Sequence, residues 1–165
     1  MSLINGLPAH VLLVHVVVVF VPLTALALVL CAVRPAAAQR MGVVLPALAL
    51  VTLVSVPLTT GAGEWLERHV GSNALVRRHA ELGDGLLPWA AGLFVLAVVV
   101  WWSARRAAAS GPSRTSRWTS APVRVAAAVL ALVVGVGAVV DVYRIGDSGA
   151  KAAWQDAVAK TTSGG

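Results

Sequence analysis

Four uncharged apolar blocks decide what this chain can fold into. Val11–Val33 runs 23 residues, interrupted only by His15, Pro22 and Thr24, and carries no formal charge. Met41–Thr60 adds 20 uncharged residues and Gly85–Trp102 adds 18. Val125–Val140 is 16 residues long, and Pro122–Tyr143 extends it to 22. A hydrocarbon core of about 30 Å is crossed by about 20 helical residues rising 1.5 Å each. Each block fits that length. The expected fold is all-α, an integral membrane four-helix bundle.

Composition agrees. The chain is 58% hydrophobic and 12% charged, with mean hydropathy +0.83. Soluble domains carry about 25% charged residues. Too little polar surface remains here to cover a soluble globule, so the excess apolar surface requires lipid. The first block is expected to be retained. Ala36-Ala37-Ala38-Gln39 faintly imitates a cleavage site, but no basic residue precedes the block and Arg34 follows it.

The charge distribution orients the bundle. Loops 34–40 and 103–124 hold Arg34, Arg40, Arg105, Arg106, Arg114, Arg117 and Arg124 and no acid. Loop 61–84 sets Arg68, Arg77 and Arg78 against Glu64, Glu67, Glu81 and Asp84. After Val140, three acids balance three bases. The arginine side thus totals +7 against −1 on the other, which gives the net charge of +6. The positive-inside rule places that side in the cytoplasm and both termini on the outer face. This topology explains the high pI without nucleic acid. The arginines could also attract anionic lipid headgroups. Cys31 is the only cysteine, which excludes an internal disulfide and any CxxC motif.

The residues read as one four-helix domain, 1–154, with helices at about 8–33, 41–68, 84–103 and 122–145 and a flexible tail at 155–165. Pro8 suits an early helical position. Pro22, Pro46 and Pro57 are expected to kink their helices. Gly71-Ser72-Asn73 breaks helix 2, and Asn73 or Ser72 can cap a short stretch over Ala74–Leu82. Segment 103–121 reads as a flexible linker flanked by Trp101, Trp102 and Trp118 as interfacial anchors. Gly135 and Gly137 allow close helix approach. Gly146 and Gly149 are expected to end helix 4.

All four histidines fall on the outer side: His10 and His15 on helix 1, His69 after helix 2, His79 before helix 3. His15 lies about one turn into the apolar block, where an ionisable residue is functional by default. His10 and His15 point about 140° apart and are offset by about 7.5 Å, so one regular helix cannot chelate an ion through both. Imidazoles from two helices can clamp a haem iron axially. His15 and His79 are the expected ligand pair, with His10 next. His69 and Glu64 are alternative metal ligands. Asp141 and Arg144 are expected to support the ligands or to form an interfacial ion pair. Gly146-Asp147-Ser148-Gly149 mimics a serine-protease nucleophile segment, but that enzyme needs a β-barrel scaffold with a His–Asp pair, and no strand pattern exists here.

The opening Gly6-Leu7-Pro8-Ala9-His10-Val11-Leu12-Leu13-Val14-His15 resembles that of a bacterial four-helix membrane family carrying domain of unknown function 2231, whose opening reads roughly Leu-Pro-x-His-Pro-x-x-Val-His. Tyr143–Ala150 is similar to the family's closing Arg-x-Gly-His-x-Gly-Ala element, and His79 stands where such proteins place a histidine before helix 3. Val11 replaces the usual Pro, and Asp147 replaces the frequent His. The resemblance implies a four-helix unit in a bacterial plasma membrane and no defined activity. Its layout is similar to that of four-helix b-type cytochromes, an analogy of fold and not of function.

Two functional readings follow. One is redox or electron transfer at the outer face through haem b or a transition metal, served by a membrane redox partner or a homo-oligomer. The other is a non-catalytic scaffold or accessory subunit with structural histidines and no cofactor. A transporter is disfavoured, because the deep helices carry no charge and no broken-helix pair marks a midplane site. Neither reading requires stand-alone catalysis. The topology predicts that, in a Cys31→Ala background, a membrane-impermeant maleimide added to intact cells labels Thr161→Cys and leaves Ser113→Cys unlabelled. The reverse pattern would invert the bundle.

Overall fold

A computed structural model of the chain describes residues 3–4, 7–70, 73–109 and 120–163. Leu3–Ile4 (β1) pairs antiparallel with Leu7–Pro8 (β2), a two-residue ladder ahead of the first helix. All else is helical: α1 Ala9–Val33, α2 Pro35–Met41, α3 Val44–Val70, α4 Ala74–Asp84, α5 Leu86–Ala109 and α6 Ala121–Ser163. Four of these elements supply helices long and apolar enough to cross a membrane: α1, α3, α5 and α6. The all-helical four-span architecture expected from the apolar blocks is the observed one.

The spanning helices pack as a closed square. α1 lies against α3 and α6, and α5 lies against the same two helices from the opposite corner. α4 folds back over α6 at one end. The core joins small and branched side chains from every span, among them Val21, Leu28, Leu45, Ala49, Leu93, Ala97, Ala131 and Ala138. Large apolar residues also face outward; Leu26 is 69% exposed. In water that surface would drive aggregation, and in lipid it is the solvated side.

Because lipid tails are as apolar as leucine, small residues and buried hydroxyls set where helices touch. Thr24 and Thr52 are fully buried and bond to each other at 2.7 Å, tying α1 to α3. Thr52 also donates to the Leu48 carbonyl at 2.9 Å, so its hydroxyl is satisfied within its own helix too. A Cβ on Gly135 would lie 3.3 Å from Ala25 Cβ, which marks close approach of α6 to α1. Gly137 sits beneath the Trp89 indole, and a Cβ there would overlap the ring.

Several boundaries differ from the sequence reading. The loop at 34–40 contains α2, started by Pro35 in its first turn and ended at Gly42, whose φ of 51° is accessible to glycine without strain. α3 therefore begins at Val44 and not at 41. Pro46 falls in its first turn, where no intrahelical bond is lost, while Pro22 and Pro57 lie inside continuous helices. Asn73 caps α4 as expected, accepting from Leu75 N and Val76 N at 2.9 Å. α5 extends to Ala109, and the rest of the expected linker, with Trp118, lies outside the described residues.

The largest difference is α6. It does not end at 145, and Gly146 and Gly149 do not break it; its backbone stays helical to Ser163, through most of the expected flexible tail. A glycine costs a helix only about 1 kcal/mol, which packing against α4 can offset. Lys151 also pairs with Asp147 one turn back at 2.7 Å.

The Gly137 contact yields a test. Gly137→Ala is expected to destabilise the bundle by about 1–3 kcal/mol, the usual cost of overpacking, read as a lower thermal midpoint in detergent. Trp89→Leu in the same chain should restore most of the loss. Equal stability of Gly137→Ala and wild type would contradict the packing.

Candidate functional site

The histidine-bearing end encloses a cavity of about 480 Å³ bounded by α1, α3, α4 and α6, with Leu86 of α5 at its edge. Its wall is mostly Val, Ala, Leu and Gly, with the polar side chains of His10, His15, His79, Thr59 and Thr60 and the carboxylates Glu64, Glu67 and Asp84 among them. α6 contributes Val142, Ile145, Gly149 and Ala153, residues three or four apart that share one helical face. Continuation of α6 beyond 145 is what completes this wall.

His10 enters from the first turn of α1. Its Nδ1 lies 3.0 Å from the Thr59 carbonyl oxygen of α3. A carbonyl can only accept, so Nδ1 carries the proton and the neutral ring keeps its lone pair on Nε2. His79 comes from α4. Its Nδ1–H points to the Ile145 carbonyl at 3.1 Å and the Ser148 hydroxyl oxygen at 3.0 Å, both on α6. Ser148 in turn donates to the Ile145 carbonyl at 2.7 Å, which leaves its oxygen free to accept from the imidazole. His79 therefore has the same tautomer, with the lone pair on Nε2. The two ring centres are 6.1 Å apart and the planes lie 84° from each other.

Each ring rests on a glycine of another helix. A Cβ on Gly63 would lie 3.1 Å from His10 Cε1, and a Cβ on Gly149 would lie 3.0 Å from His79 Cε1. Both distances are tighter than ordinary van der Waals contact. The absence of a side chain at these two positions is what lets the imidazoles approach the neighbouring backbone.

His15 and His69 are held differently. His15 lies at the cavity edge and is exposed, with Nδ1 2.6 Å from the carbonyl of Val11, four residues back on its own helix. His69 does the same with Trp65 at 2.7 Å, and its ring stacks on that indole at 3.9 Å. The structure places the His10 ring beside that of His79, while His15 lies at the edge of the same cavity. The 140° offset between His10 and His15 on α1 means that only one of them can face inward, and it is His10. Glu64 is exposed and reaches the cavity rim. His69 stays outside the cavity. Among the described residues, no group of three or more His, Cys, Asp or Glu is placed to hold one metal ion.

Asp141 and Arg144 do not orient the rings. That role falls to the carbonyls of Thr59 and Ile145 and to Ser148. The Asp141 Oδ2 is buried without a hydrogen bond, and it approaches Gly85 at the start of α5. Arg144 is exposed one turn further along α6. Asp147 is exposed and forms an ion pair with Lys151 at 2.7 Å. Sequence reasoning missed Thr59, Gly63, Ser148 and Gly149 as site residues. The Ser148-Gly149 pair was visible only as a protease-like motif or a helix stop, although its spacing from Ile145 already put all three on one side of a helix.

Neighbouring glycines separate these roles. Gly146 has nothing within 4 Å of its would-be Cβ. Gly146→Ala should therefore stabilise α6 by up to about 1 kcal/mol. Gly149→Val should destabilise by about 1–3 kcal/mol, because the branched side chain meets a ring fixed by two bonds. Thermal melts of the two variants are expected to move in opposite directions, and a shared direction would contradict the seat.

Residues 6–162 match the family described as "Predicted membrane protein (DUF2231)". No curated protein and no solved structure matches the chain.

Proposed function

The chain belongs to the DUF2231 family of predicted membrane proteins, and on that premise we propose that its histidine-end cavity binds haem b through His10 and His79 for one-electron transfer. The observation that carries this reading is the pair of imidazoles from different helices. Each has Nδ1–H held by a backbone carbonyl of a third or fourth helix, so each keeps Nε2 as a ligand atom. Metal-bound histidines usually have this arrangement, in which the outer hydrogen bond fixes the tautomer and the ring orientation.

The donor count favours haem over a bare ion. A tetrahedral metal site needs four ligands, or three and a water. A haem iron takes its four equatorial nitrogens from the porphyrin and needs only two from the protein. His10 and His79 would be the two side chains that hold the iron, and their ring centres lie 6.1 Å apart. The apolar wall suits a porphyrin face. When bound, haem would supply reversible one-electron chemistry, while the chain's own residues hold the iron, fix the imidazole tautomers and limit water. By the positive-inside rule this site faces outward from a bacterial plasma membrane, where a membrane redox partner could meet it.

The same two bonds favour a second reading. His10 joins α1 to α3 and His79 joins α4 to α6, so the histidines could serve as clips in a cofactor-free accessory subunit.

A reduced-minus-oxidised absorption spectrum of detergent-purified protein separates the two. A Soret band with sharp α and β bands is expected, lost in His10→Ala and in His79→Ala and retained in His15→Ala. A colourless protein from cells supplied with haem, or a spectrum unchanged by His79→Ala, would reject the haem reading and leave the accessory subunit, with partner co-purification as its own test.

A further inference from the structure

The end of the bundle opposite the histidines has a cavity of its own, of about 160 Å³, between α2 and α5. Gln39, Gly42, Trp101, Arg105 and Ala108 line it. We propose that this cavity binds the phosphodiester of an anionic phospholipid, with Arg105 as the main phosphate ligand and Gln39 as a polar neighbour. This inference is independent of the haem reading, since it uses none of the same residues.

Three observations converge on that ligand. The first is charge. Arg34 caps the start of α2 and Arg40 lies in its last turn, Arg105 and Arg106 lie near the end of α5, and segments 34–40 and 103–124 contain no acidic residue. An anion held here meets no repelling carboxylate from either segment.

The second is the posture of Arg105. Its guanidinium lies over the Trp101 ring, 5.4 Å from the centroid, and Arg106 repeats the arrangement over Trp102 at 5.0 Å. A guanidinium held over an indole is attracted by the ring's quadrupole. The guanidinium's N–H donors lie in its own plane, and their fork matches two phosphate oxygens. The indole thus holds the Arg105 guanidinium beside the cavity that both residues line.

The third is depth. Trp101 and Trp102 close the uncharged block Gly85–Trp102, and arginine begins three residues later. Indoles at such a boundary sit at headgroup level. A phosphate in this cavity would stand where the acyl chains of its own lipid can run down the exposed apolar faces of the bundle. Gly42 keeps the turn between α2 and α3 free of a side chain. With φ of 51° it is the one described glycine in the left-handed region, so the turn that bounds the cavity depends on it.

Native mass spectrometry of detergent-purified protein tests this, with phosphatidylglycerol, phosphatidylcholine and inorganic phosphate as probes. Wild type should retain phosphatidylglycerol in preference to phosphatidylcholine. Arg105→Gln should weaken that retention about fivefold, the loss expected for one basic residue at an anionic surface. Ala108→Phe, which fills the cavity mouth from an exposed position, should produce the same loss if Arg105→Gln does not fold. Arg144→Gln at the opposite end should leave the adducts unchanged. Equal retention of the two lipids would overturn the proposal, as would an unchanged adduct in the folded Arg105 and Ala108 variants. Inorganic phosphate that displaces the lipid would overturn it in favour of a soluble-anion site.

Discussion

Everything in this structure depends on the absence of water from the bilayer core. A peptide group left unpaired there costs several kcal/mol, so each span must satisfy its own backbone as a helix. α1, α3, α5 and α6 do so over their full apolar lengths, and Pro22 and Pro57 lie inside helices that nevertheless continue. Side-chain hydroxyls obey the same constraint. Ser55 and Thr59 turn back onto the carbonyls of Thr52 and Ser55 at 2.7 Å, while Thr24 and Thr52 reach across to each other at 2.7 Å.

With hydrophobicity spent on lipid, shape decides the packing. Gly135 against Ala25, Gly92 against Val134 and Gly137 beneath Trp89 bring α6 close to α1 and α5. Polar contacts then concentrate at the two ends. At one end imidazoles and carbonyls join four helices around a cavity. At the other, arginines stack on tryptophans and Cys31 meets Met41 Sδ at 3.4 Å. The middle is nearly featureless, as a stretch surrounded by hydrocarbon must be.

The histidine end shows how one residue type acquires different roles. All four imidazoles bond a carbonyl through Nδ1. His15 and His69 use their own helix four residues back, a bond that any helical histidine can make. His10 and His79 use another helix, and each needs a glycine opposite to come close enough. The seat, and not the histidine, distinguishes the inward pair.

The sequence alone determined the spans, their number and the Asn73 cap, because these follow from run length and local turn chemistry. It also carried the family, through the opening and closing motifs. It could not decide which face of α1 turns inward. That helix is apolar all round, so no amphipathic stripe fixes its rotation, and the choice of His10 over His15 came from packing against Gly63 and Thr59. Nor could it foresee that α6 continues past Gly146 and Gly149. Locally those glycines read as a stop. Only the tertiary structure, with the His79 ring laid against Gly149 and bonded to Ile145 and Ser148, made an unbroken helix the arrangement that satisfies both partners.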